Sequence, residues 1–201
     1  SENELFAPFE NISLPPDRSL VIITSDIMQD RYSTICACGR KVNRMKLLIL
    51  SDSHRKMDYM YQAVEREKPD RIIHLGDHER DAMRRAERDP GIPLWSVSRN
   101  CDHGAGPERI VDVLEGVRFF VTHGHTLRVK YGLLRAELAA REAEANVLLF
   151  GHTHRAMCDW HNGLWILNPG TCSGMGPITY GVIELDRGSV RPAICELSYE
   201  D

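Results

Sequence analysis

The 201 residues are 42% hydrophobic and 27% charged, the ordinary composition of a single globular domain long enough to bury a large core. A net charge of −4 and a pI near 6.1 exclude the broad basic footprint behind sequence-independent nucleic-acid binding, so nucleic acid is not an expected partner. No run of about 18 apolar residues is present to span a membrane, and the acidic start Ser1-Glu2-Asn3-Glu4 lacks the regions of a signal peptide, so the expected location is the cytoplasm.

Residues 1–44 hold Pro8, Pro15 and Pro16, one short apolar run at 20–23, and no sustained period. A regular alternation of strand and helix signals starts at Met45. The expected organisation is therefore an N-terminal extension or leader over 1–44 and one domain over 45–201. The cysteines at 36, 38, 101, 158, 172 and 195 contain no CxxC pair, which reads as small buried hydrophobes rather than a disulfide framework. Cys36 and Cys38 form a CxC that departs from the usual spacing of structural zinc sites.

Strand-length apolar runs follow at 46–51, 71–75, 94–98, 118–122, 147–150, 164–167, 179–185 and 190–197. The first five are continuous rather than alternating, as in strands of an α/β fold covered on both faces. Helical spacing fills the gaps. Met57, Met60, Tyr61 and Val64 form one apolar stripe, and Leu127, Tyr131, Leu134 and Leu138 form another, each expected to face the core. Residues 79–89, with Arg80, Arg84 and Arg88 among acidic neighbours, read as a solvated helix face. Turns such as Asn168-Pro169-Gly170 and Asp186-Arg187-Gly188 make the last three strands a β meander closing a second sheet.

The residues just past the strands carry the chemistry. Asp52-Ser53-His54 follows the first, Gly76-Asp77-His78 the second, Asn100-Cys101-Asp102 the third, His123-Gly124-His125 the fourth and Gly151-His152-Thr153-His154 the fifth. Sites in open α/β sheets form outside the carboxyl ends of the strands, so these side chains should converge. Carboxylates, an amide and imidazoles in this number are too many for one tetrahedral zinc and suit a pair of metals. Mn²⁺ or Fe²⁺ fits this mixed oxygen and nitrogen set better than Cu(I), and Zn²⁺ also fits.

In this order D-x-H, G-D, N-C-D, H-G-H and G-H-T-H resemble the calcineurin-like metallophosphoesterases. The resemblance covers residues 45–197 and is nearest to the small bacterial and archaeal phosphodiesterase branch, itself similar to the retromer subunit of the same fold. It implies a four-layer αββα sandwich of two mixed β-sheets flanked by helices. It places Asp52, His54 and His154 on one metal, Asp77 between two, and Asn100, His123 and His152 on the second. The implied cofactors are two divalent ions, Mn²⁺ first, with Fe²⁺, Zn²⁺ or Ni²⁺ as alternatives. The implied reaction is hydrolysis of a small-molecule phosphodiester by a water or hydroxide bridging the metals.

The chain departs from its relatives at two positions. Cys101 stands where many carry a histidine that protonates the leaving group; it reads as a passive small residue or a weak proton donor. Without a strong acid there, aryl diesters should be better substrates than alkyl ones. His125 reads as a proton shuttle or a ligand-orienting group, with His78 and Asp102 as further candidates. Arg99 stands where glycine is common, and reads as a phosphate clamp or as the mark of a rearranged loop. The competing functions are a non-catalytic interaction scaffold, as the retromer subunit exemplifies, and a phosphomonoesterase. A homodimer is expected only from the common symmetry of soluble oligomers.

Overall fold

The computed structural model describes residues 22–23, 44–54, 56–76, 88, 90–98, 106–174 and 176–197. Two mixed β-sheets form its centre. The first runs, in spatial order, β1 (Ile22–Ile23), β11 (Ser189–Leu197), β10 (Ile178–Asp186), β2 (Met45–Leu50), β3 (Arg71–His74) and β4 (Leu94–Ser96). The second runs β5 (Arg109–Leu114), β6 (Val117–Thr122), β7 (Val147–Leu149), β9 (Leu164–Asn168) and β8 (Met157–His161). Strands β2, β3 and β4 are parallel, as are β6, β7 and β9, so within each sheet the loops after these strands leave from one end.

Side-chain alternation along a strand decides the layers. Leu47 and Ile49 of β2 meet Phe119 and Val121 of β6 and Leu149 of β7 between the sheets. Leu48 and Leu50 face the other way, onto Met60, Ala63 and Val64 of α1 (Met57–Glu67). Phe120, Leu148 and Ile166 face Ala136 and Ala140 of α2 (Leu134–Glu142). Helix, sheet, sheet, helix is the four-layer sandwich the sequence implies.

Helix α1 buries Met60 and Val64 of its expected stripe together with Ala63 and Glu67, Met57 packs partly buried against the same core and Tyr61 does not join it; Asp58 in the first turn and Arg66 in the last complement the dipole. It ends where Lys68 turns left-handed at φ 43° and donates its N–H to the Val64 carbonyl. Glu67 would be costly to bury alone. The Tyr180 hydroxyl donates to one of its oxygens at 2.9 Å and Lys46 Nζ to the other at 3.0 Å.

Three expectations change. Of the stripe Leu127, Tyr131, Leu134 and Leu138, Leu127 packs against the core but the other three do not: Tyr131 is 92% exposed, Leu134 69% and Leu138 56%. A short 3-10 turn at Val129–Tyr131 ends at Gly132, so these residues do not share one helix, and α2 approaches its sheet through alanines. The last three strands are not one meander. Strand β9 pairs with β7 and β8, whereas β10 sits between β2 and β11, where an almost continuously buried strand is covered on both faces. Strands β5 and β8 also join the second sheet at its two edges, and neither was among the expected runs. Strand β8 turns into β9 through Asn162 and Gly163, both at positive φ, the Asn-Gly hairpin signal. The charged run 79–89 lies outside the described residues except for Arg88, which donates to Glu65 at 3.1 Å and lies over the Tyr61 ring.

Candidate metal centre

Strand β2 ends at Leu50, and the chain turns through Asp52 and His54; β7 ends at Leu149, and the chain turns through His152 and His154. All four residues hold left-handed backbones, with φ of 52°, 44°, 68° and 58°. Non-glycine residues seldom adopt this conformation, and clusters of such residues mark functional sites. Here each turn re-aims a side chain that a straight strand would send elsewhere.

Asp52 is 1% exposed. Its Oδ2 accepts from Ser51 Oγ at 2.6 Å and from the His152 backbone N–H at 3.0 Å. Its Oδ1 is buried without a well-formed hydrogen bond and lies 3.1 Å from His154 Nε2. His54 Nε2 lies 3.4 Å from the same nitrogen. One ligand atom each from Asp52, His54 and His154 thus falls within a sphere of mutual distance 4.8 Å. Burial pushes the Asp52 carboxyl up, but His154, Ser51 and the nearby His123 more than offset it, and the group stays below the usual carboxylate range. An ionised carboxylate oxygen and two imidazole nitrogens turned toward one point are a donor set that fits a divalent cation.

The second cluster begins at His123, 1% exposed at the end of β6. Its Nδ1 lies 2.7 Å from the Leu75 carbonyl, which can only accept, so the proton belongs on Nδ1 and the Nε2 lone pair faces into the site. That Nε2 is 3.1 Å from His152 Nδ1. The His125 ring stands 5.7 Å from that of His123 and 6.3 Å from that of His152. Asp77, His78, Arg99, Asn100, Cys101 and Asp102 lie outside the described residues.

Residues read only as turn or strand-end residues, or not singled out at all, hold the ligands in place. Asn168, fully buried at the end of β9, donates through Nδ2 to the Gly151 carbonyl at 3.0 Å and to Thr153 Oγ1 at 2.9 Å. These contacts bracket His152. The Asn168 Oδ1 accepts from the Gly170 N–H at 2.9 Å, the turn contact that the Asn-Pro-Gly signal does announce. Thr171 Oγ1 donates to the Asp52 carbonyl at 2.9 Å, a contact for which the sequence carries no signal. Gly151 leaves room for the carboxylate: a Cβ there would meet Ser51 Oγ and stand 3.1 Å from Asp52 Oδ2.

The model of the calcineurin-like phosphoesterase superfamily domain matches residues 45–188. A probable metallophosphoesterase, YsnB of Bacillus subtilis, is 32% identical over 131 residues, which cover 63% of this chain and 75% of the relative. The phosphodiesterase MJ0936 of Methanocaldococcus jannaschii is 24% identical over 172 residues, 76% of this chain and all of the relative. Among solved structures, a predicted phosphoesterase from Streptococcus pneumoniae superposes with a TM-score of 0.61 at 25% identity, covering 78% of this chain and 98% of the other. Vacuolar protein sorting 29 from Cryptosporidium parvum shares the fold at the same TM-score with 18% identity, covering 77% and 98%.

Proposed function

The chain belongs to the calcineurin-like phosphoesterase superfamily, and we propose that it is a metal-dependent phosphodiesterase acting on small-molecule phosphodiesters. The observation that carries this reading is the convergence of Asp52, His54 and His154 on one point. Asp52, His54 and His154 would hold one divalent ion and His123, His152 and Asn100 a second, with Asp77 between them. Manganese is the first choice for such a set. When bound, the metal pair supplies a nucleophilic water near neutral pH and neutralises charge on the phosphoryl oxygens.

The chain's own part is to orient and to move protons. The Leu75 carbonyl holds the proton of His123 on Nδ1, away from the site. The Ser51 hydroxyl and the His152 N–H fix the Asp52 carboxylate. His125, whose ring stands beside those of His123 and His152, is the proposed proton donor to the leaving oxygen. Cys101 is a weaker candidate for that step, and Arg99 a candidate clamp on the substrate phosphate. The names of the relatives support a phosphoesterase, and one of them a diesterase.

The test is to remove metal with a chelator, restore Mn²⁺, and compare hydrolysis of an aryl phosphodiester with the matching monoester. Manganese-dependent turnover favouring the diester supports the reading. Faster monoester hydrolysis makes it a phosphomonoesterase, and bound metal without turnover of either favours the scaffold.

A further inference from the structure

The turn between His123 and His125 is braced at both backbone groups of its central residue. Gly124 holds φ of 99°, and its N–H donates to Thr122 Oγ1 at 3.2 Å. Its carbonyl accepts from the Val129 N–H at 3.3 Å, and the His125 carbonyl accepts from the Arg128 N–H at 3.1 Å. The same stretch of chain that leaves the site thus folds back onto it, through Arg128 at a left-handed φ of 55°.

Val129 closes the turn from its apolar side. It is 4% exposed and packs in the cluster of Phe120, Phe150 and Ala136 between α2 and the second sheet. Its two γ carbons lie so close to Gly124 that a Cβ built there would stand 2.9 Å from one and 3.0 Å from the other. Glycine has the greatest backbone freedom of any residue, so a glycine between two site histidines needs an outside contact to hold it in one conformation. The valine methyls supply that contact, and interiors this closely packed do not close up fully when methyl groups are removed.

We infer that Val129 is a positioning residue for the second cluster: by packing on Gly124 it fixes the turn that presents His123, and so raises the affinity for the second metal. The inference rests on the reading of His123 as a ligand of that metal. Val129→Ala keeps the backbone N–H that Gly124 accepts and removes the packing alone. The glycine then regains conformations that metal binding must freeze out again.

The test is calorimetric titration of Mn²⁺ into the metal-free full chain. His123→Ala should lose one of the two ions that the wild type binds. Val129→Ala should bind one of the two roughly 10–100-fold more weakly, the range for loss of a group that orients a metal ligand. Val129→Ile, which keeps both γ carbons against Gly124, should bind as the wild type does. Val117→Ala is the control: this valine is 2% exposed at the far end of β6, and its loss should lower stability in denaturant without changing metal affinity. Wild-type affinity in Val129→Ala while His123→Ala loses an ion would overturn the inference, as would equal weakening in Val129→Ile or in Val117→Ala. Unchanged binding in His123→Ala would remove the ligand reading itself and the inference with it.

Discussion

The backbone N–H of His152 donates to Oδ2 of Asp52 at 3.0 Å, joining residues 100 apart in sequence and tying the end of β7 to the end of β2. The bond belongs to the two sheets at once. One proposed ligand of the first metal thereby fixes the turn that presents a proposed ligand of the second.

Asp52→Asn keeps the shape but removes the charge and turns one oxygen into a donor. Loss of a ligand-supporting partner costs roughly 10–100-fold in metal affinity or activity, so loss of a ligand itself should cost about 100-fold or more in Mn²⁺-dependent turnover. The metal-free variant should melt no lower than the metal-free wild type by more than a few degrees. Near-normal turnover at limiting Mn²⁺ would remove Asp52 from the site.

Asn168 acts through its neighbours. Asn168→Asp cannot donate to the Gly151 carbonyl or hold Thr153 as the amide does. Metal affinity should fall by about 10–100-fold, and stability by about 1–3 kcal/mol as a buried carbonyl loses its partner. Calorimetric titration of metal measures the first and denaturant unfolding the second. A change in stability with unchanged metal affinity would make Asn168 a purely structural residue.

Gly151→Ala places a methyl against Ser51 Oγ and close to Asp52 Oδ2. Either the serine leaves the carboxylate or the turn shifts, at about 1–3 kcal/mol for overpacking. The account expects weakened metal binding together with lowered stability. An unaffected melting temperature and metal affinity would show that the turn is looser than its contacts imply.

Thiol chemistry separates Cys172 from the reaction. Burial pushes its thiol up to about 12, with Asp52 adding to the rise, and burial together with Glu67 pushes Cys195 to about 11. A raised pKa keeps the thiol protonated, and since the thiolate is the reactive form, native Cys172 should resist iodoacetamide at pH 8. Site-resolved mass spectrometry should find it alkylated only after unfolding. Labelling at the rate of a free cysteine would contradict its burial and make it a candidate nucleophile.

Much of the candidate site was legible because its side chains sit where strands stop. Asp52, His54, His123, His152 and His154 follow apolar runs, and strand ends in an α/β sheet share an edge. The holding contacts were less legible. Asn168 announces its Asx turn to Gly170, but nothing local says that its amide reaches Gly151 and Thr153. Sheet membership was hidden for a similar reason: the apolar runs of β9 and β10 mark both as strands, and only tertiary pairing sends them to different sheets. The stripe on α2 misled because Leu134 and Leu138 have helical spacing whether they face a sheet or solvent.

The most direct test of the proposed dinuclear centre is to count metal. After reconstitution with Mn²⁺ and removal of excess, elemental analysis should find two ions per chain in the wild type and at most one in His154→Ala or His152→Ala. One ion or none in the wild type, or two retained in both variants, would contradict the account.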